Sequence, residues 1–210
     1  SNCLFSQLIL RKKDRQEILF GMGFSNFLGD LGGDDGIGKH NSLADLEAKL
    51  TAPCFMAGYR YRIHKNISIK AVFSGGIVKG DDKLTKEPYR NNRNLNFRSI
   101  ILELSLQTEF VLTNFSASNV YRIRNAKKTI NKSQYIYGFI GIAGFYFNPQ
   151  GKINGKWYNL QPLGTEGQGI KPGTKKYSRI SIAIPIGVGA RWQIDERFTA
   201  GLEIGYRKTF

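Results

Sequence analysis

Residues 98–112 read RSIILELSLQTEFVL, and this stretch decides the fold class. Large apolar side chains stand at alternating positions: Ile100, Leu102, Leu104, Leu106 and Phe110. Polar side chains occupy positions of the opposite phase: Ser99, Glu103, Ser105, Gln107 and Glu109. A repeat of two places one class of residue on each face of an extended strand. The stretch therefore predicts a long β-strand with one apolar and one polar face.

Six further stretches carry the same signal, at 16–28, 53–63, 67–78, 135–147, 178–193 and 198–207. In 135–147 both faces are apolar, and Gly138, Gly141 and Gly144 interrupt them. These strands exceed the usual five or six residues and fit the roughly 9–11 residues of a tilted membrane strand. Their polar faces combine Gly, Ser and charges of both signs, which is typical of a narrow barrel interior.

Two β architectures compete for this pattern. In a soluble sandwich one face of each strand packs against a second sheet, whereas in a membrane barrel the apolar face meets lipid. Strand length favours the second, an all-β, closed antiparallel up-and-down membrane β-barrel. Seven strands are visible, and single-chain barrels usually have an even number. We therefore expect eight strands, with the eighth after Phe210; a strand that includes 120–124 is the alternative.

The connections between strands differ in length at the two ends of the predicted barrel. Residues 64–66 and 195–197 predict tight turns, while 29–52, 79–96 and 148–177 are long and polar. Short turns face the periplasm in such barrels and long loops face outward. A connection of middle length, 113–134, would lie on the periplasmic side. We expect 16–210 to form the barrel and 1–15 a periplasmic N-terminal tail, in which SNCLFSQ (1–7) is similar to a signal-peptide remnant.

Composition narrows the classes of function. The chain of 210 residues carries a formal net charge of +15, which raises nucleic acid as a partner. The basic residues are spread over loops and tails and form no nucleic-acid-binding motif, so we expect no nucleic-acid partner. Cys3 and Cys54 form neither a disulfide framework nor the paired spacing of a zinc site.

Chemistry-bearing residues are sparse. His40 and His64, the two histidines, would lie at opposite ends of the barrel, so no histidine-assisted nucleophile is supported and we expect no enzyme. Asp30, Asp34 and Asp35 lie among glycines. Calcium accepts such oxygens, but their spacing matches no EF-hand, and turns use Gly and Asp for their backbone geometry. We expect no metal and no cofactor.

Charged residues on the polar strand faces predict ion pairs inside the barrel. An eight-stranded barrel is just filled by its side chains, and buried charges there must pair. A proton or solute path is one interpretation; a salt-bridged plug without an open pore is the one we favour. The residues concerned are Glu17, Arg60, Arg62, Lys70, Glu103, Glu109, Arg191, Glu203 and Arg207.

Two basic segments are candidates for docking a periplasmic partner, because both are expected at the same membrane face. They contribute Arg11, Lys12, Lys13, Arg15, Arg122, Arg124, Lys127, Lys128 and Lys132. A solvated charge run is the alternative. On the outer side, the third long loop could meet lipopolysaccharide phosphates through Lys152, Lys156, Lys171, Lys175, Lys176 and Arg179.

Several stretches resemble the PorG-like outer-membrane barrels of Bacteroidota. They are GFSNFLGDLGG (23–33), GGIVKGDDK (75–83), RNLNFRSIILELSLQTEF (93–110), FNPQGKINGKWYNLQPLGTEGQG (147–169) and GLEIGYRKTF (201–210). The resemblance implies a component of the type IX secretion system, which also serves gliding. It further implies periplasmic ring partners of the PorK/GldK and PorN/GldN type.

Three functional hypotheses follow. The first is a non-enzymatic outer-membrane barrel, in contact with lipid and lipopolysaccharide, that anchors a periplasmic secretion ring. The second is an adhesin or lipopolysaccharide-binding barrel that acts through its long loops. The third, a lipid-modifying membrane enzyme, lacks the Ser–His pair that such an enzyme needs.

Overall fold

The computed structural model describes residues 2–13, 15–26, 51–81, 96–117, 132–153, 155–164, 176–195 and 197–210. Eight strands form a closed antiparallel ring, each hydrogen-bonded to its neighbours along the chain or across the closure. They are β1 (Asn2–Lys13), β2 (Gln16–Asn26), β3 (Ala52–His64), β4 (Ile67–Asp81), β5 (Asn96–Ala117), β6 (Lys132–Ile153), β8 (Ile180–Gln193) and β9 (Phe198–Thr209). The predicted up-and-down barrel is confirmed.

The eighth strand differs from the expectation. Residues 2–13 form β1 rather than a periplasmic tail, and they close the ring by pairing with β2 and β9. Asn2 pairs with Asn26 and Tyr206, so β1 begins at the end of the barrel with the long connections and runs to the opposite end. The predicted tail at 1–15 is therefore wrong for residues 2–13, and the eighth strand of the ring is β1 rather than a strand after Phe210. The physical reason is that β2 and β9 each present an edge that β1 pairs.

The predicted middle-length connection is also shorter than expected. β5 and β6 are 22 residues each and stay paired as far as Ala117 and Lys132, so 113–117 and 132–134 belong to strands. At its other end β6 continues into a hairpin with β7 (Lys156–Asn159), in which Gly155 adopts a φ of 81°. A short helix, α1 (Leu160–Leu163), follows β7. Neither β7 nor α1 belongs to the ring.

The two ends of the barrel are named here by their connections. The short-turn end holds the β1–β2, β3–β4 and β8–β9 turns and the β5–β6 connection; the long-connection end is opposite. Register is continuous over most ladders, with bulges between Arg11 and Lys13, between Arg62 and His64, and between Val111 and Thr113. All three bulges lie at the short-turn end.

The outer surface of the ring is apolar. Outward side chains of β5 that are exposed include Ile100, Leu104 and Leu112. From Ile100 to Leu112 the row covers about 30 Å along the barrel axis, from a rise of about 3.4 Å per residue and a tilt of about 40°. Neighbouring strands extend this band with Phe20, Met22, Phe73, Ile140, Ile182, Ile186, Leu202 and Ile204.

The strand with two apolar faces, β6, turns aromatic rings inward. Tyr137 and Phe139 are buried in the lumen, where Gly187 and Gly189 of the neighbouring β8 leave space for their rings. A Cβ at Gly187 would lie 2.5 Å from Cζ of Phe139. The glycines that interrupt β8 are thus explained by ring packing inside the barrel.

Candidate functional site

All nine charged residues predicted for the barrel interior lie there and form ion pairs. The four carboxylates are Glu17, Glu103, Glu109 and Glu203; the five cations are Arg60, Arg62, Lys70, Arg191 and Arg207. Alternation placed them on inward positions of β2, β3, β4, β5, β8 and β9. Most of them are buried, and Arg62 is the partly exposed member at the short-turn end.

Seven of these groups form a continuous chain of opposite charges. Lys70 Nζ lies 2.7 Å from Glu203 Oε2 and 3.2 Å from Glu109 Oε1. Arg60 then bridges Glu109 and Glu17, with Nε 2.7 Å from Glu109 Oε2 and Nη1 2.7 Å from Glu17 Oε2. The chain therefore crosses strands β9, β4, β5, β3 and β2. Such mutual pairing offsets the cost of removing each charge from water.

The chain ends in two arginines at the short-turn end. Arg62 Nη2 lies 3.1 Å from Glu17 Oε1, and Arg191 Nη1 lies 3.5 Å from Glu17 Oε2. Glu17 thus faces three guanidinium groups, since Arg60 also contacts it. Positive charge is in excess at this point of the lumen.

Neutral and aromatic groups complete the network. Glu203 Oε2 accepts hydrogen bonds from Gln7 Nε2 at 2.8 Å and from the Tyr137 hydroxyl at 3.0 Å. The Lys70 ammonium lies 4.8 Å from the ring centroid of Phe139. A cation above a ring face is attracted by the ring quadrupole. These contacts fill the middle of the lumen with fixed side chains, as a plug does.

Nearer the long-connection end, a separate pair holds the lumen together. Arg207 Nε lies 2.9 Å from Glu103 Oε2, and the Ser74 hydroxyl lies 3.5 Å from Glu103 Oε1. Cys3 and Cys54 also point into this region and pack together, beside Phe5. Both cysteines are free thiols. Cys3 is therefore part of the barrel wall.

A water-accessible cavity of about 620 Å³ opens at the short-turn end. We call it the short-turn cavity, and it is bounded by Arg15, Arg62, Ile63, His64, Lys65, Asn66, Val111, Asn114, Tyr135 and Arg191. Five of these side chains carry a cationic or titratable nitrogen, and none is a carboxylate. Its inner wall reaches Arg191, so it adjoins the ion-pair chain.

The predicted docking residues are only partly described. Arg15 lines the short-turn cavity. The backbones of Arg11, Lys12 and Lys13 belong to β1 and that of Lys132 to β6, but their side chains lie outside the described part of the structure, as do Arg122, Arg124, Lys127 and Lys128 entirely. Of the acidic loop predicted around Asp30, Asp34 and Asp35, and of His40, nothing is described.

At the long-connection end, the predicted basic loop is described in part. The Arg98 guanidinium lies 4.3 Å from the ring centroid of Trp157, and Lys152 lies 6.0 Å from it on the other strand of the β6–β7 hairpin. Arg179 donates to Gln161 Oε1 through Nε and Nη2, at 3.0 and 2.7 Å. Lys171 and Lys175 lie outside the described residues.

Neither a metal site nor a membrane-spanning helix is found within the described ranges. No group of three or more His, Cys, Asp or Glu side chains there could hold a metal ion. No helix in the same ranges is long and apolar enough to cross a membrane.

Comparison with protein families matches residues 3–210 to the family described as domain of unknown function DUF6089. The chain belongs to the DUF6089 family. The match covers β1 to β9, so the whole barrel is the family domain. Neither the curated proteins nor the solved structures gave a match to this DUF6089 chain.

Sequence reasoning missed the neutral members of the DUF6089 lumen. Gln7 lies in the stretch that the sequence predicts as a tail, and Tyr137 and Tyr135 belong to a strand whose two apolar faces hide the direction of each side chain. The glycine spacing on β8 was the available signal, because Gly187 and Gly189 lie on its inward phase, where neighbouring rings can fill the space.

Proposed function

We infer that this chain is a non-enzymatic outer-membrane barrel that docks a periplasmic ring of the type IX secretion machinery. One observation carries the membrane part of the proposal: a closed ring with an apolar outer band and a lumen filled by paired charges. A soluble protein rarely exposes so large a contiguous apolar surface. A membrane barrel needs such a surface, since its outward side chains meet acyl chains.

The lumen supports a structural role over transport. Lys70, Arg60, Glu109 and Glu17 interlock across it, and Tyr137 and Phe139 occupy the space beside them. A solute would have to break several ion pairs in a low-dielectric interior to pass. The barrel therefore serves as a rigid anchor, and its ends provide the contact surfaces.

The periplasmic partner is supported by the resemblance to PorG-like barrels and by the positive short-turn end. PorK/GldK and PorN/GldN type ring proteins are the proposed partners. Outer-membrane barrels usually have short turns on their periplasmic side, which supports a periplasmic position for this end. The short-turn cavity shares Arg15 with the predicted docking residues and adds Arg62, Lys65 and Arg191 to them.

Affinity purification from outer membranes tests the docking. The full chain, tagged and solubilised in mild detergent, should recover the ring proteins. Reversing four charges in the β5–β6 connection (Arg122→Glu, Arg124→Glu, Lys127→Glu, Lys128→Glu) should abolish that recovery. The matched control reverses four charges at the other end (Lys152→Glu, Lys156→Glu, Lys175→Glu, Lys176→Glu) and should retain it. Equal recovery by both variants removes the docking proposal.

A surface-binding barrel is the second candidate, favoured by the β6–β7 hairpin that stands beyond the ring. Trp157 lies there against Arg98 and Lys152, a combination suited to phosphate-rich saccharide. Replacing residues 154–176 with a short Gly-Ser linker should then abolish binding to lipopolysaccharide. The ring-anchor proposal expects ring recovery to survive this replacement.

A further inference from the structure

The short-turn cavity contains a buried arginine, and two of its three guanidinium nitrogens make no hydrogen bond to a described residue. Arg191 is 4% exposed, and its Nε and Nη1 make no hydrogen bond to any described residue. Glu17 Oε2, at 3.5 Å, interacts with Nη1 by charge alone. Leaving donors of a charged group unpaired in a buried position costs more than the loss of an ordinary hydrogen bond.

Positive charge also exceeds negative charge around Arg191. Elsewhere in the described lumen each guanidinium has a close carboxylate: Arg60 faces Glu109 and Glu17, and Arg207 faces Glu103. Arg62 and Arg191 instead share Glu17 with Arg60. The chain of alternating carboxylates and cations therefore ends in two cations. A further carboxylate that extended this chain would lie in the short-turn cavity.

The rest of the cavity suits a peptide that carries acidic side chains. Arg15, His64 and Lys65 form its outer rim, where an anion would arrive from water. Ile63 and Val111 offer apolar contact for methylene groups, and the amides of Asn66 and Asn114 can bond to a peptide backbone.

We propose that the short-turn cavity is a binding site for a carboxylate on an acidic segment of a periplasmic protein, with Arg191 and Arg62 as its inner contacts. Guanidinium groups bind carboxylates through paired, charge-assisted hydrogen bonds. The incoming carboxylate supplies the acceptors that Arg191 lacks and continues the ion-pair chain by one member. The proposal rests on the proposed function for the orientation of this end toward the periplasm.

The lumen position separates this occupant from a lipid. The inner contacts, Arg191 and Arg62, lie on inward positions of β8 and β3, behind the barrel wall. A lipid headgroup would lie against the outer band instead. Free phosphate has the same charge chemistry, so it must be compared directly with the peptide.

Binding is measured with the purified full chain in detergent, by titration calorimetry. The probe is a capped hexaglutamate peptide, with capped hexaglutamine as the matched neutral control and inorganic phosphate as competitor. Hexaglutamate should bind and hexaglutamine should not. Arg191→Gln and Arg62→Gln should each weaken binding about tenfold or more, as loss of a charge-assisted hydrogen bond implies. Lys79→Gln, which removes one positive charge from an exposed position of β4 at the opposite end, should leave binding unchanged.

Folding of every variant is checked by heat-dependent gel mobility. Should Arg191→Gln fail to fold, Arg62→Gln decides, because Arg62 is partly exposed and less important for packing. Equal binding of hexaglutamine, or hexaglutamate binding that neither arginine variant weakens, overturns the site. If inorganic phosphate displaces the peptide at an equal or lower concentration, the ligand of the site is phosphate and not a carboxylate. That result overturns the proposal.

The calorimetric titration tests the carboxylate site independently of the secretion ring. Peptide binding without ring recovery from outer membranes would retain the site and remove the proposed partner. Ring recovery that survives both Arg62→Gln and Arg191→Gln would retain the docking and show that this cavity does not contribute to it.

Discussion

Arg60 and Glu109 form a two-point ion pair across the lumen, with Nε 2.7 Å from Oε2 and Nη2 2.9 Å from Oε1. The two residues come from β3 and β5, which pair with β4 and not with each other. Both side chains are almost completely buried. The pair therefore connects strands that no backbone hydrogen bond joins, and it fixes the barrel's cross-section.

Breaking this pair from one side should be costly. Arg60→Ala leaves Glu109 with Lys70 alone and removes one of the cations around Glu17. We expect a loss of about 3–5 kcal/mol in the free energy of unfolding, as for other buried pairs. Urea unfolding in lipid vesicles, followed by tryptophan fluorescence, measures it.

Removing both partners is the control for that prediction. In Arg60→Met with Glu109→Met, Lys70 keeps Glu203 while Glu17 keeps Arg62 and Arg191. No charge is left alone, so the double variant should be more stable than Arg60→Ala. A double variant that is equally or less stable would show that the pair contributes more than charge compensation.

The glycines of β8 should be required for the packing of aromatic side chains inside the barrel. A Cβ at Gly187 would overlap the carbonyl oxygen of Ile204 and lie 2.5 Å from Cζ of Phe139. Gly187→Ala should therefore lower stability by about 1–3 kcal/mol, the usual cost of overpacking. The matched control is Gly144→Ala, because nothing lies within 4 Å of a Cβ there. If both variants unfold at the same urea concentration, the packing explanation of the β8 glycines is wrong.

The stability cost of an arginine on the barrel wall should depend on whether its position lies within the apolar band. Leu104 is 65% exposed near the middle of the outward row of β5. In vesicles Leu104→Arg should cost about 2–4 kcal/mol, the expected cost of arginine at the bilayer midplane. Ile153→Arg, on the β6–β7 hairpin beyond the ring, should change stability by less than about 0.5 kcal/mol. Equal stability of the two variants would argue against a bilayer around Leu104.

Closure by β1 is testable by deletion. Removing residues 2–13 leaves the facing edges of β2 and β9 without their partner. We expect the shortened chain to lose heat-dependent gel mobility and to aggregate, since open edges pair with other chains. Replacing Lys156–Asn159 with glycine and serine removes a strand outside the ring and should leave the barrel folded. A folded shortened chain would show that the ring closes without β1.

Alternation in the sequence predicted six of the eight ring strands, because their outward residues are apolar over long stretches, and the long apolar stretch 135–147 predicted β6 as the seventh. It missed β1, whose inward Phe5 and Ile9 are as apolar as the outward Leu4 and Leu8. A strand with two apolar faces gives no period of two. The Arg11–Lys13 run at the end of β1 is charged, which favours a tail when only the sequence is considered.

The inward charges were predictable and their partners were not. The phase of each strand places Glu203 and Lys70 inside, but they belong to β9 and β4, on different sides of the ring. Which of them meet depends on strand tilt and stagger, quantities that a single sequence does not contain. The short-turn cavity was missed because its lining combines turn residues with inward ones.

The pairing of Leu10 with Phe198 and of Asn2 with Tyr206 joins the first strand to the last. Hydrogen bonds at this seam can form only after every other strand has been synthesised. Until these bonds form, the open sheet carries two unmatched edges, at β1 and at β9. Ring completion is the contact of greatest sequence separation, which makes it intrinsically slow. A factor that holds these two edges together would therefore accelerate assembly more than one that stabilises any hairpin.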